Sequence, residues 1–270
     1  MRDDFDIIRA TVAKAEEIKI YPIADVHLGS ILCNEKAWMD FRNFLVREKN
    51  AYCVLVGDMI NNNTRSSVGS PWEDNIRPRE QKKLMVEHLK PLAEEGKIIA
   101  GVPGNHEKRS LKDADDDPFY DIMCKLNLED VYRENAAYIL LSVGDRQVKG
   151  QTKPAASYHL CVTHGSGGGA LTGSSVNKSE RFAYTVEGID ILITGHTHKG
   201  SITKPAKLQF DYMKGRMTLK PFVCVQACAW QTYGGYSLQK MMNPSTTADQ
   251  GGQIIRLSGD RYHKYIKTEW

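Results

Sequence analysis

The 270-residue chain has no apolar run approaching the roughly 18 residues that a membrane-crossing helix needs. It opens Met1-Arg2-Asp3-Asp4-Phe5-Asp6, acidic where a secretory leader is basic and then apolar, so neither a membrane nor a secretory destination is expected. Excess charge of one sign is also lacking. The 36 Lys+Arg against 33 Asp+Glu leave a net +3, too little to mark a nucleic-acid binder without a local basic patch. Cysteine is sparse, with six residues at 33, 53, 124, 161, 224 and 228. Cys224 and Cys228 have a spacing seen in zinc sites, but no second Cys or His pair follows nearby, and burial in a strand is the simpler reading. A chain this long needs no disulfide staples, so a reducing, cytoplasmic compartment is expected. No internal repeat and no low-complexity linker divides the sequence, which reads as a single domain over residues 1–270.

What is present is enough apolar residue, 41%, to bury a sizeable core. Strand-like runs at 18–24, 52–57 and 98–102 alternate with helical spacing at Trp38, Phe41 and Leu45 and at Met85, Leu89 and Leu92. Pro22 argues for an edge or irregular strand position, and Pro91 for a kink in a helix that starts near Pro78 and ends at Gly96. Residues 61–75 read as a long surface loop. Asp117-Pro118 is a helix cap and first-turn proline leading into Phe119, Ile122 and Met123. Beyond residue 137 strands dominate, at 138–143, 158–163, 189–194, 222–229 and 254–257, with one helix near 178–187. Helices and strands intermixed in this way predict a layered α/β sandwich.

Five of the eight histidines fall directly after these strands or in adjoining turns. The blocks are Asp25-Val26-His27, Gly57-Asp58, Gly104-Asn105-His106-Glu107, His164-Gly165 and Gly195-His196-Thr197-His198. Each alone is weak, because a lone His at a strand end is more often a satisfied polar group than a ligand. Together they give every strand-terminal loop a carboxylate, imidazole or amide oxygen, and α/β sheets bind ligands at those loops. Mixed nitrogen and oxygen donors suit Mn²⁺, Fe, Zn²⁺ or Ni²⁺, while the absence of cysteine from the blocks disfavours structural zinc. Two aspartates and several histidines exceed what one four-coordinate ion requires. Two divalent metals are expected.

The five blocks, in this order, resemble the calcineurin-like metallophosphoesterase superfamily. The resemblance implies a four-layer α-β-β-α sandwich with a two-metal site at one edge. It implies Asp25, His27, Asp58 and His198 as ligands of one metal, and Asp58, Asn105, His164 and His196 as ligands of the other, Mn²⁺ being the preferred ion. It also implies a metal-bridging hydroxide that attacks a phosphate ester, with His106 facing the scissile group to protonate or stabilise the departing alkoxide.

Where protein Ser/Thr phosphatases carry an Asp-Arg pair beyond the Gly-Asp block, this chain has Asn61 and Asn62. Asn62 cannot grip a phosphomonoester dianion as a bidentate Arg would, while Asn61 can still hydrogen-bond to His106. The expectation is therefore a phosphodiesterase, with nucleic acid as a candidate substrate and a small-molecule phosphomonoesterase as the alternative. A non-catalytic scaffold of the same fold is a remote third. Asp25-Val26-His27-Leu28-Gly29 resembles the repair-exonuclease branch, while the Gly-rich run after His164 and Tyr233-Gly234-Gly235-Tyr236 are similar to phage and prophage phosphoesterases. With its last residue at Trp270, the chain is expected to lack the extra DNA-binding and partner-binding segments of such nucleases. Residues 199–220 hold six basic residues against one acid, Asp211, with Phe210 and Tyr212 between. Lys204, Lys207 and Lys214 could there guide a phosphate backbone, or simply protect a solvated hairpin edge. The Gly/Ser-rich stretch 166–175 is expected to be a loop, and Asp115-Asp116-Asp117 a solvated turn.

Overall fold

In a computed structural model, which describes residues 3–65, 67, 74–144, 155–168, 171–239, 241, 244 and 250–270, the main strands sort into two sheets. One has six strands in the order β1 (Ile8–Val12), β5 (Ala136–Val143), β6 (Ala156–Thr163), β7 (Ile191–Thr194), β11 (Val223–Gln226) and β8 (Ser201–Thr203). The other has five, β13 (Ile266–Glu269), β12 (Ile254–Ser258), β2 (Glu17–Ile23), β3 (Ala51–Leu55) and β4 (Ile98–Gly101). Successive side chains along a strand point to opposite faces, so each sheet has two surfaces to cover. Ile18, Ile20, Val54 and Ala100 of the five-stranded sheet meet Ile139, Leu141, Leu160, Val162 and Ile193 of the six-stranded one in a shared buried layer. Tyr21, Ile23, Cys53 and Leu55 face the other way, under α1 (Glu35–Arg47), α2 (Pro78–Glu94) and α4 (Pro118–Lys125). Cys161, Leu192 and Cys224 line the outer face of the six-stranded sheet, against Ala183 of α5 (Thr172–Thr185). The layers therefore run α-β-β-α.

The helices form where capping and spacing place them. Asn34 caps α1 by accepting from the Ala37 amide, and Trp38 and Leu45 are its buried stripe. Asp117 caps α4 through the amides of Phe119 and Tyr120. α2 begins at Pro78 and continues past Pro91 to Glu94, the proline lying within its last turn. All six cysteines are free. No helix of the described residues is long and apolar enough to cross a membrane.

Several expectations need correction. Pro22 lies in β2, an interior strand between β12 and β3, rather than at an edge. Ile23 turns its carbonyl to the Val56 amide, so Pro22, one residue out of phase, presents its nitrogen to the β12 side. Pairing with β12 runs only from Glu17 to Ile20, so the missing N–H breaks no ladder bond. The predicted surface loop 61–75 lies partly outside the described residues (66 and 68–73), but Asn61, Asn62 and Asn63 are buried. The stretch 166–175, apart from 169–170 outside the described residues, ends in helix, because α5 starts at Thr172 rather than near 178. β1 and β13 were not foreseen, being short edge strands with little buried apolar surface.

β2, β3 and β4 run parallel to one another, as do β6, β7 and β11. The chain leaves the carboxyl ends of β2, β3, β4, β6 and β7 directly into the five motif blocks.

Candidate metal centre

The backbone bends sharply at these blocks. Asp25, His27, Asp58, His196 and His198 all hold left-handed φ values, between 50° and 72°. That conformation is uncommon for residues other than glycine and costs on the order of 1–3 kcal/mol at each position, a strain that gathers where a site demands it. The strand ends also press together. Gly57 has φ +85°, and a Cβ there would overlap the Gly104 backbone, while a Cβ on Gly104 would overlap the Asp58 carboxylate. Only glycine fits at either position. The Asp25 amide donates to the Gly57 carbonyl at 3.0 Å and the His27 amide to that of Asp58 at 2.9 Å, joining the first two blocks.

The donors converge in overlapping groups. Asp25, His27 and His198 place one ligand atom each within 4.8 Å of one another, and so do Asp58, His164 and His196. A third group joins His27, Asp58 and His106. His27 Nε2 and His198 Nε2 stand 3.1 Å apart, with Asp25 Oδ1 3.3 Å from the latter. Asn105 Oδ1 lies 3.0 Å from His164 Nε2 and 2.7 Å from His196 Nδ1. Asp58 Oδ2 is 3.3 Å from His164 Nε2 and 3.8 Å from Nε2 of both His27 and His106. All seven expected ligands are thus brought together, with Asp58 between the two outer groups.

The donors fit divalent cations. Asp25 Oδ1 is buried without a hydrogen-bond partner, a costly state for a carboxylate oxygen unless a cation satisfies it. The ring nitrogens turned away from the cluster are occupied, His27 Nδ1 by Asn61 Oδ1 at 3.2 Å and His164 Nδ1 by the Val56 carbonyl at 2.7 Å. An imidazole that donates its far N–H to an oxygen turns its near nitrogen inward; at His164 burial acts to lower the pKa, but the facing Asp58 overcomes it and raises the pKa to about 10, so a bound cation would take the place of that inward proton. Burial would raise the Asp25 and Asp58 carboxyls, but the facing imidazoles, His198 for Asp25 and His164 for Asp58, hold both well below the usual carboxylate range. Both aspartates are therefore anionic.

His106 sits at the rim of this cluster. Its Nδ1 donates to the Asn61 carbonyl at 2.6 Å, and its Nε2 accepts from Arg109 Nη2 at 2.9 Å. Burial, assisted by His27 and Arg109 and opposed by Asp58, pushes its pKa down to about 3. Asn61 thus meets His106 as expected, but through its main chain; its side chain instead orients His27 and donates to Asp74. The Asn62 amide is taken up by the His106 carbonyl at 2.8 Å and Ser110 Oγ at 2.9 Å.

Two further residues belong to the site and went unassigned in the sequence. Glu107, fully buried, accepts from the amides of Asp58, Ile60 and Gly104. Burial, with Asp58 adding to it and those amides opposing it, raises its pKa to about 7. Arg109 reaches His106, the Asn61 carbonyl and Asn63 Oδ1. Both follow His106 within one run, and their position on the first turn of α3 (Glu107–Ala114) was the available signal.

The structure does not bring Lys204, Lys207 and Lys214 to these donors. β8 runs antiparallel to β11, with Ser201 beside Gln226 near the ligand loops and Thr203 beside Cys224 toward the opposite end. The chain beyond Thr203 therefore leaves from the sheet edge remote from the site, a strand length of about 10 Å away. Lys207 Nζ donates there to the carbonyls of Ala183, Tyr184 and Val186, and Lys214 pairs with Asp211.

The chain is similar to several solved structures at low identity. A predicted phosphoesterase from Streptococcus pneumoniae TIGR4 is 14% identical, with 94% of this chain and 88% of that one covered and a TM-score of 0.36. A metallophosphoesterase from Sphaerobacter thermophilus is 13% identical over 94% and 89%, with a TM-score of 0.37. GAP50, the anchor in the inner membrane complex of Plasmodium, is 11% identical over 94% and 88%, with a TM-score of 0.49. No curated protein gives a significant match. The family profile of calcineurin-like phosphoesterases matches residues 18–200, a span that holds all five ligand blocks, and the chain belongs to that family.

Proposed function

We propose that this chain is a two-metal phosphodiesterase, with nucleic acid among its candidate substrates. The observation that carries the reading is Asp58, one buried carboxylate set between two groups of imidazole donors. Asp25, His27, Asp58 and His198 would hold one divalent ion, and Asp58, Asn105, His164 and His196 the other. Mn²⁺ is the ion proposed from the family resemblance, with Fe, Zn²⁺ and Ni²⁺ as alternatives that the four imidazoles also suit. Bound there, two such ions would supply Lewis acidity toward phosphoryl oxygens and lower the pKa of the attacking water.

The chain's own groups do the remainder. Asn61 and the Val56 carbonyl fix the tautomers of His27 and His164. Glu107 fixes the backbone that presents Asp58. His106 and Arg109 form a polar edge beside the cluster, placed to bind the phosphoryl oxygens and leaving group. Preference for a diester is supported by Asn62, whose amide is already engaged and so offers no grip on a terminal phosphate. Arg109 favours the second reading, a phosphomonoesterase, because a guanidinium at this edge suits a dianion. A single domain in a reducing, cytoplasmic setting completes the proposal and agrees with the six free cysteines.

The test is hydrolysis by the Mn²⁺-loaded protein of an aryl phosphodiester, the matching monoester, cyclic nucleotides, DNA and RNA. Faster turnover of the diester than of the monoester is expected. The reverse order would install the monoesterase. A protein that binds no metal and cleaves none of these would be a scaffold.

A further inference from the structure

The hairpin of β9 (Ala206–Asp211) and β10 (Arg216–Pro221) turns its apolar side outward. Its register pairs Ala206 with Pro221, Leu208 with Leu219 and Phe210 with Met217. Cross-strand partners share a face, and alternate residues share it along each strand. One face of the ribbon is therefore entirely apolar. The other carries Lys207 beside Lys220, Gln209 beside Thr218 and Asp211 beside Arg216. This polar face is docked on the body at Lys207, which holds the last carbonyls of α5 and lies 5.4 Å from the Phe222 ring centroid, while Gln209 and Arg216 stay exposed.

The apolar face is left in solvent. Leu208 and Leu219 are each 71% exposed, Phe210 67% and Met217 44%. Tyr212 extends the face by stacking on Phe210 at 5.9 Å, and it is exposed together with Met213 in the turn. An isolated two-stranded ribbon is marginal in water, and an exposed apolar patch of this size marks an interaction surface.

We infer that this face is covered by the same face of a second copy of the chain, closing a four-stranded, two-layer sandwich around a two-fold axis. The occupant follows from the face itself. It carries no charged side chain, while two cations that a polynucleotide would need, Lys207 and Lys220, lie on the opposite side of the ribbon. An uncharged apolar ribbon is complementary to itself, as a two-fold contact requires. The four large side chains of the face together with Tyr212 present on the order of 600 Å² per protomer, the lower end of what each partner buries in a specific interface. Packing two such ribbons about 10 Å apart buries what neither covers alone. The hairpin leaves the sheet edge opposite the ligand loops, so both metal centres stay open in the pair.

Sedimentation of the metal-loaded 270-residue chain over a wide concentration range tests this. The parent should run as a dimer that dissociates on dilution. Leu208→Glu with Leu219→Glu should raise the dissociation constant about 100-fold or more while leaving thermal unfolding of the dilute protein cooperative. Mixing that variant with Leu208→Lys/Leu219→Lys should restore a one-to-one pair. Turnover of an aryl diester should be unchanged in all of them, so loss of the dimer and loss of the hydrolase reading are separate results. A parent monomeric at every concentration, or an acidic variant that dimerises as the parent does, would overturn the inference. So would a monomeric parent that binds anionic vesicles or single-stranded DNA through these leucines.

Discussion

The Glu107 carboxylate accepts a hydrogen bond from the main-chain amide of Asp58 at 3.0 Å, so a residue three positions beyond Gly104 sets where Asp58, the proposed shared ligand, stands. Its other oxygen takes the Ile60 amide at 3.1 Å, and the Gly104 amide completes the cage at 2.8 Å. Glu107→Gln keeps the shape but turns an NH₂ group toward backbone donors. It should cost about 1–3 kcal/mol of stability and weaken metal binding. Thermal unfolding with and without Mn²⁺, together with a metal titration, reads both. Unchanged affinity would reduce Glu107 to a packing role.

Asp58→Asn should empty both metal positions, because a shared carboxylate contributes charge to each. His27→Ala or His198→Ala should empty mainly one, and His164→Ala or His196→Ala the other. Turnover in Asp58→Asn should fall by a factor of at least about 100. Metal content after matched purification decides the assignment. Two tightly held ions and full turnover in Asp58→Asn would show that it is not the bridge.

Gly104→Ala and Gly96→Ala form a matched pair. A Cβ at Gly104 would overlap the Asp58 carboxylate, whereas a Cβ at Gly96 would meet nothing within 4 Å, although its φ of +62° remains unfavourable for alanine. Gly96→Ala should therefore cost about 1–2 kcal/mol, the penalty of a left-handed alanine, with metal affinity intact. Gly104→Ala should lose metal affinity as well. Equal affinities in the two variants would mean that the β3 and β4 loops can separate freely.

The gathering of the candidate donors was legible because each block lies just beyond a strand end and each loop contributes its own block. The roles of their supporting residues were not. Nothing in the sequence distinguishes the Asn61 side chain, which serves His27, from its carbonyl, which serves His106. Asp74 and Gln81, which hold the Asn61–Asn63 segment, sit 7–19 residues from their partners and carry no local signal. The 199–220 segment misled for a different reason. Its alternation announces a hairpin, but not which face turns inward, and the lysines that suggested a phosphate track include one bound to a helix end. Pro22 misled because pairing on one side of β2 stops before reaching it.

Lys207→Met tests that placement. Removing three hydrogen bonds to the closing carbonyls of α5 should destabilise the protein by about 1–2 kcal/mol. Aryl diester hydrolysis should keep its kcat, since this end of the sheet is remote from the ligands. Chemical denaturation reads the first quantity and steady-state kinetics the second. A fall in kcat without a loss of stability would return Lys207 to the substrate path.

His106 allows the sharpest test of the chemistry. The family resemblance implies a proton donor to the leaving oxygen, but the structure holds the ring with both nitrogens engaged, Nδ1–H on the Asn61 carbonyl and Nε2 accepting from Arg109. With a guanidinium N–H directed at Nε2, that nitrogen carries a lone pair rather than a transferable proton. On that geometry His106 would act as a positioning residue, holding the Arg109 guanidinium whose remaining N–H groups can meet phosphoryl oxygens. His106→Ala should keep both metals and lower turnover by about 10²–10⁴, the range of a lost acid–base or positioning group. The informative quantity is the ratio between substrates. An alkyl leaving group needs a proton and a nitrophenolate does not, so a positioning role predicts equal losses on both esters, whereas a proton donor predicts a far larger loss on the alkyl ester. Arg109→Ala should follow the same pattern, with the loss carried in KM as well as kcat, because the guanidinium would also contact phosphate in the proposed complex. An alkyl-specific loss in His106→Ala that Arg109→Ala does not share would restore the general acid and require the Arg109 contact to open during turnover.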